Sequence, residues 1–141
     1  MIKFTIPGKP KALKRHSPSA RGGYYDPSSK DKKDVLLQIA AYKPKKLLEG
    51  DIELLFVFYF PRPKSHYRTG KRSHVRKAKA PVYHSVKPDI DNLIKFYSDL
   101  FSKNFYKDDS QICSIQAIKA YSNDLEWNND HPRTEVEIEE I

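Results

Sequence analysis

Hydrophobic and polar positions alternate along this chain in a way that marks its elements. Met1 to Ile6 reads as a short strand stopped by Pro7-Gly8. Lys9 to Pro27 is loop-like, broken by Pro10, Pro18, Gly22 and Gly23. Ser28 or Ser29 is a candidate cap for a helix starting near Lys30, with Val35, Leu36, Ile39 and Ala40 as its apolar face and Pro44 as its stop. Asp51 to Phe60 is the clearest strand. Ile52, Leu54, Phe56, Phe58 and Phe60 share one face, and Leu55, Val57 and Tyr59 make the other apolar too, so a central strand covered on both sides is expected. A helix from Asp89 to Lys103 carries the stripe Ile90, Leu93, Ile94, Tyr97, Leu100 and Phe101. Ile112 to Tyr121 and Thr134 to Ile141 complete the strands. The last alternates Val136 and Ile138 with Glu135, Glu137 and Glu139, as expected near a sheet edge. The order β-α-β-α-β-β predicts a single mixed α/β (α+β) domain over residues 1–141.

Composition adds little to the fold but much to function. The chain has 141 residues, of which 38% are hydrophobic and 12% aromatic, so large rings must supply much of the burial. Cys113 is the single cysteine, which excludes an internal disulfide and a four-cysteine zinc site. No apolar run is long enough for a membrane span and no secretory signal is visible, so a cytoplasmic protein is expected. The net charge is +8, and the excess is localised. Met1 to Tyr25 holds Lys3, Lys9, Lys11, Lys14, Arg15 and Arg21 with no acid. Residues 61–80 hold Arg62, Lys64, Arg68, Lys71, Arg72, Arg76, Lys77 and Lys79, again with no acid. Such a field points to a polyanion. The 61–80 segment, with little periodicity, is expected to be a mobile DNA-binding loop, with Lys9, Lys11, Lys14, Arg15, Arg68, Lys71, Arg72 and Arg76 as candidate DNA contacts.

The chemistry lies in Lys87-Pro88-Asp89-Ile90-Asp91-Asn92-Leu93-Ile94-Lys95 and, downstream, Asp108-Asp109-Ser110-Gln111-Ile112. Pro88 favours helix initiation, placing Asp89 and Asp91 in the first turn, and Lys95 shares the surface of Asp91. Asp108 and Asp109 are expected at the start of the next strand. An Asp at a helix start is commonly a cap, and an Asp-Asp pair commonly a turn. Convergence of both motifs is harder to dismiss, because carboxylates about 5 Å apart at an effective dielectric of about 20 repel by about 3 kcal/mol per pair. Mg²⁺ is the natural counter-ion, since it takes one or two carboxylates and accepts phosphate oxygens. Three acids and a lysine on a basic scaffold suit metal-assisted phosphodiester hydrolysis. Asp99, eight residues beyond Asp91, is expected in a salt bridge. His16, His66, His74, His84 and His131 lack ligand spacing and are expected to be solvated or to meet phosphates. Tyr24, Tyr25 and Tyr67 are candidates for base stacking, with packing at a loop base the commoner role. Trp127 has no assignment.

These strings, with Asp99-Leu100 between them, resemble the signature of RusA-like Holliday-junction resolvases. The similarity extends more weakly to Ile6-Pro7-Gly8-Lys9-Pro10 and to Phe60-Pro61. The resemblance implies a homodimeric, Mg²⁺-dependent nuclease of bacteria or phages that nicks four-way DNA junctions symmetrically in recombination and repair. It implies that Asp89 and Asp91 are paired metal-binding acids, that Asp109 is the third acid with Asp108 as its competitor, and that Lys95 is the essential lysine. Phe96, Phe105 and Tyr106, outside the main stripe, are candidates for a dimer contact together with a sheet edge. A flap or generic branched-DNA nickase, and a non-catalytic nucleic-acid-binding module, are the alternative readings.

Overall fold

In a computed structural model, the described residues are 1–14, 17–18, 24–122 and 131–141. They form β1 (Ile2–Pro7), β2 (Ser17–Pro18), β3 (Tyr24–Tyr25), α1 (Ser29–Ile39), β4 (Ile52–Phe60), α2 (Ile90–Phe101), β5 (Ile112–Tyr121) and β6 (Arg133–Glu140). The main sheet has the order β1-β6-β4-β5, with β4 and β5 parallel and the other pairs antiparallel. This is a single α+β domain with a mixed sheet. The two-residue ladder of β2 and β3 stands apart, inside a stretch that the sequence reads as plain loop. Among the described residues, no helix is long and apolar enough to cross a membrane.

One face of the sheet carries the core. Ile52, Leu54, Phe56, Phe58 and Phe60 of β4 are all buried, with Phe4 and Ile6 of β1 and Val136 and Ile138 of β6 beside them. Val35 and Ile39 of α1, and Leu93, Phe96, Tyr97, Leu100 and Phe101 of α2, close the same cluster. The rings pack at geometries that aromatic quadrupoles favour: Phe56 stacks on Phe58 at 5.3 Å, and Phe101 meets Phe105 edge-on at 5.3 Å.

Three expectations change for related reasons. Leu55, Val57 and Tyr59 are only half-buried, so β4 is central but not covered on both faces. β6 lies inside the sheet rather than near its edge; its Glu135 and Glu137 are ion-paired across the open face with Arg133 and Lys3, both at 3.0 Å. One wet face reported an uncovered side of the sheet, not an edge. Phe96, Phe105 and Tyr106 are completely buried in the chain's own core, so they cannot form a dimer contact.

The 61–80 segment folds on itself. Turns of 3₁₀ type at Lys64–His66 and Gly70–Arg72 flank a bridge between Tyr67 and Arg76, closed by Arg68 N–H to Val75 O at 2.9 Å and Lys77 N–H to His66 O at 2.8 Å. Gly70 takes φ +67°, a value that favours glycine. Arg62 ties both ends down, donating to Ser122 O at 2.9 Å and Pro81 O at 2.8 Å.

Because Phe56 touches Phe58, Tyr97 and Phe101 at the centre of this core, Phe56→Ala should cost about 3–5 kcal/mol of stability. Urea unfolding checks this: the midpoint should fall sharply with little change in slope.

Candidate active site

Asp89 takes the N-cap position of α2, in extended conformation, and only its backbone carbonyl joins the helix, accepting from Leu93 N–H at 3.3 Å. Its side chain makes no capping bond. Asp91 follows in the first turn, and both carboxylates are exposed, as is Lys95 one turn on. Among the described residues, no ion pair joins Asp91 to Lys95. A helix start favours negative charge, so two acids tolerate each other here while remaining accessible.

What holds this start in place was not foreseen. Lys119, on β5, donates its ammonium to Val86 O at 2.7 Å and to Pro88 O at 2.6 Å. It therefore clamps the segment that delivers Asp89. The signal was present in the sequence: Lys119 falls between Ala117 and Tyr121, two positions of β5 that pack on the core, where a cation needs an internal partner. His84 sits beside it, not solvated but buried and stacked on Phe60 at 3.9 Å. Burial, then the Lys119 charge, push the His84 pKa down, so the ring is neutral at pH 7. His66, half-buried next to Arg62, is lowered by burial and by Arg62 and Lys77.

The second motif folds as a 3₁₀ turn, Asp109–Gln111, rather than as the start of a strand. Its two acids have different jobs. Asp108 caps the turn, accepting from Ser110 N–H at 3.0 Å, while Gln111 Oε1 accepts from Asp108 N–H at 2.8 Å. The Ser110 hydroxyl, then the Ser110 N–H, hold the Asp108 carboxyl below its ordinary pKa. Gln111 also donates to Leu48 O and Gly50 O, both at 3.0 Å, fixing the turn to the chain before β4. Asp109 instead faces Asp99 and the Ser102 hydroxyl, and desolvation, then the Asp99 and Asp108 charges, raise its pKa. Asp99 is thus set against another acid, and among the described residues no salt bridge includes it.

Within one chain the acids do not converge. Asp89 and Asp91 lie at the start of α2 and Asp109 near its end, along a helix about 18 Å long. Among the described residues, no group of three or more His, Cys, Asp or Glu is close enough to hold an ion. Asp89 and Asp91, exposed and without capping duties, are the pair best suited to one.

The basic residues fall into two sets. Lys9–Lys14 runs along α2: Leu13 N–H bonds Asn92 O at 3.0 Å, and Lys11 N–H bonds the Tyr97 hydroxyl at 2.9 Å. Lys11 and Lys14 reach Asp31 of α1 at 3.6 and 3.5 Å, while Lys9 is exposed. Arg68, Lys71 and Arg72 are exposed on the 61–80 segment, and Arg76 and Tyr67 are half-buried within it. Arg15, His16, Arg21 and Trp127 lie outside the described residues, as do the side chains of Tyr24 and Tyr25.

Comparison with known proteins bears on this geometry. The family model described as Endodeoxyribonuclease RusA matches residues 7–139. A Bacillus subtilis (strain 168) protein named uncharacterized protein YqaN is 32% identical over 145 residues, covering 99% of this chain and 96% of the relative. A Lactococcus phage r1t protein named crossover junction endodeoxyribonuclease rusA is 29% identical over 122 residues, covering 84% of this chain and 78% of the relative.

The raised Asp109 pKa has a stability consequence in metal-free buffer. A carboxyl raised in the fold contributes stability at pH below its ordinary value, and that contribution is lost as pH rises through the raised value. Asp109→Asn should therefore raise the melting temperature at pH 7 in EDTA and give no gain near pH 3. Thermal unfolding at both pH values checks the sign.

Proposed function

Since this chain belongs to the RusA family of endodeoxyribonucleases, we propose that it resolves four-way DNA junctions by paired, symmetrical, Mg²⁺-dependent nicks during recombination and repair in a bacterial or phage-infected cytoplasm. The observation that carries this reading is the uncapped, exposed pair Asp89 and Asp91, with Lys95 one turn away and cationic segments on the same domain. An Asp that neither caps a helix nor pairs with a cation is costly opposite a polyanion unless an ion joins them. The donor set fits Mg²⁺, which binds through one or two carboxylates, waters and substrate phosphate. When bound, it supplies an activated water and stabilises charge on the phosphate oxygens. Asp89 and Asp91 would hold it. Lys95 lies on the face of Asp91 and contacts the phosphate being cut. Lys119 keeps the Asp89 segment in register through its two carbonyl contacts.

Resolution needs two nicks related by a two-fold axis, and an isologous dimer supplies them. The fold supports one arrangement. β5 is the edge strand of the main sheet; its last residues bond the 82–84 segment, while Ile115 and Ile118 before them are 40% and 48% exposed. α2 runs back along β5, so Asp89 lies at the strand's end and Asp109 at its beginning. Antiparallel pairing of two β5 edges would bring Asp109 of one chain toward Asp89 and Asp91 of the other, which makes Asp109 the third acid of a shared site. Asp108, committed to its cap, does not compete for that role.

Mixed dimers test this directly. Asp89→Asn and Asp109→Asn should each abolish nicking, and leave junction binding intact. Mixing the two variants should restore single, uncoupled nicks, because each heterodimer rebuilds one complete site. A mixture that stays inactive would place all the acids of a site in one chain; full activity of Asp89→Asn would remove the site altogether. Lys95→Ala should bind normally and cut about 10²–10³-fold more slowly in single turnover.

The basic segment is read by salt. If about six of its cations meet phosphates, log K against log salt should slope at about −5, and neutralising Arg68, Lys71, Arg72 and Arg76 together should flatten it. An unchanged slope would leave the segment as a solvated surface.

A further inference from the structure

Between the basic segment and Asp89 runs a strip, residues 81–88, whose exposed apolar side chains neither the metal site nor phosphate binding explains. Val82, Tyr83 and Val86 are 60%, 66% and 58% exposed. Single exposed apolar residues are ordinary, but three within five positions ask for a reason.

The backbone of this strip is well tied. Pro81 O accepts from Arg62 at 2.8 Å, and Val82 O accepts from Tyr121 N–H at 2.9 Å. His84 N–H donates to Lys119 O at 3.1 Å, and a β-bridge joins Tyr83 to Ala120. Val86 O and Pro88 O accept from the Lys119 ammonium. The His84 ring points inward onto Phe60, which leaves its neighbour Tyr83 directed outward. Folding thus fixes an apolar strip that it does not bury.

The surroundings identify the occupant. Val82 lines a groove of about 340 Å³ with His74, Val75, Arg76, Lys77, Ala78 and Ala80, a wall suited to a phosphate backbone. On its other side the strip leads in six residues from Tyr83 to Asp89. A flat ring between a cationic groove and a phosphodiester-cutting site matches the base adjoining a bound backbone. In an intact duplex that base is stacked within the helix; at a branch point or in a single strand its face is available.

We infer that Tyr83 is a stacking platform for an unpaired nucleobase beside the cleavage site, and that it contributes to selection of branched over linear DNA. This rests on the reading of branched DNA as substrate. Because the strip is fixed before binding, little ordering entropy opposes the contact.

The test uses the whole chain in EDTA, so that DNA stays intact, with 2-aminopurine placed at the branch point of a four-way junction and, separately, in a single-stranded oligonucleotide. Tyr83→Ala should lower the preference for junction over linear duplex about 10-fold, leave linear-duplex affinity and its salt slope unchanged, and lose fluorescence quenching. Tyr83→Phe should keep both, since the ring stacks and the hydroxyl does not. Melting temperatures equal to wild type confirm that the exposed side chain carries no fold. Unchanged preference and quenching in Tyr83→Ala would overturn the proposal. If the wild-type protein shows no junction preference, the branched-substrate reading falls by itself. The platform is then judged on the single strand: quenching by wild type and Tyr83→Phe but not Tyr83→Ala supports it, and any other pattern overturns it.

Discussion

The parallel pairing of β4 with β5 governs the rest of this structure. Two adjacent parallel strands need a crossover that returns the chain to the starting end of the sheet, and α2 is that crossover. Its amphipathic stripe must lie on the sheet, where Tyr97 and Phe101 meet Phe56, so its two ends fall at opposite ends of β5. Everything chemical follows from that. The start of α2 presents Asp89 and Asp91, its last turn carries Asp99, and its exit leads to Asp109 and the turn into β5. One topological requirement thus creates an accessible pair of acids and sends Asp109 away from it.

The polar contacts serve the same frame. Lys119 spends its charge on two carbonyls that set the entry to α2, and Gln111 spends its amide on two carbonyls that set the exit. Asp109 is left against Asp99, destabilised by like charge and partial desolvation. Folding alone gives no reason for such a pair at the negative end of a helix. A cation or a partner chain beside it gives one.

Local patterning announced much of this. The alternation in β4, the stripe of α2 and the Lys87–Lys95 string each depend on neighbours in sequence, and the structure places β4 and α2 close to the expected bounds. What could not be read was set by distant partners. Whether Leu55 and Val57 are covered depends on which face both helices choose, and β6 with one wet face looks the same inside an open-faced sheet as at an edge. Phe96, Phe105 and Tyr106 seemed spare because the stripe ignores the parts of the chain that fold over α2 from elsewhere; the structure buries all three. The 61–80 segment has no hydrophobic period because 3₁₀ turns and one bridge impose none. The expected meeting of the acid motifs assumed that both face one end of the sheet, and the crossover forbids it within a chain.

The central claim is that this endonuclease acts on branched DNA through a metal held at Asp89 and Asp91. Incubation of the wild-type protein with synthetic four-way, three-way, flap and linear DNAs, with Mg²⁺ and with EDTA, measures it most directly. The account predicts paired nicks on opposed strands of the four-way junction, little cutting of linear duplex, and none in EDTA. Equal cutting of linear duplex, or junction cutting that persists in EDTA, would contradict it.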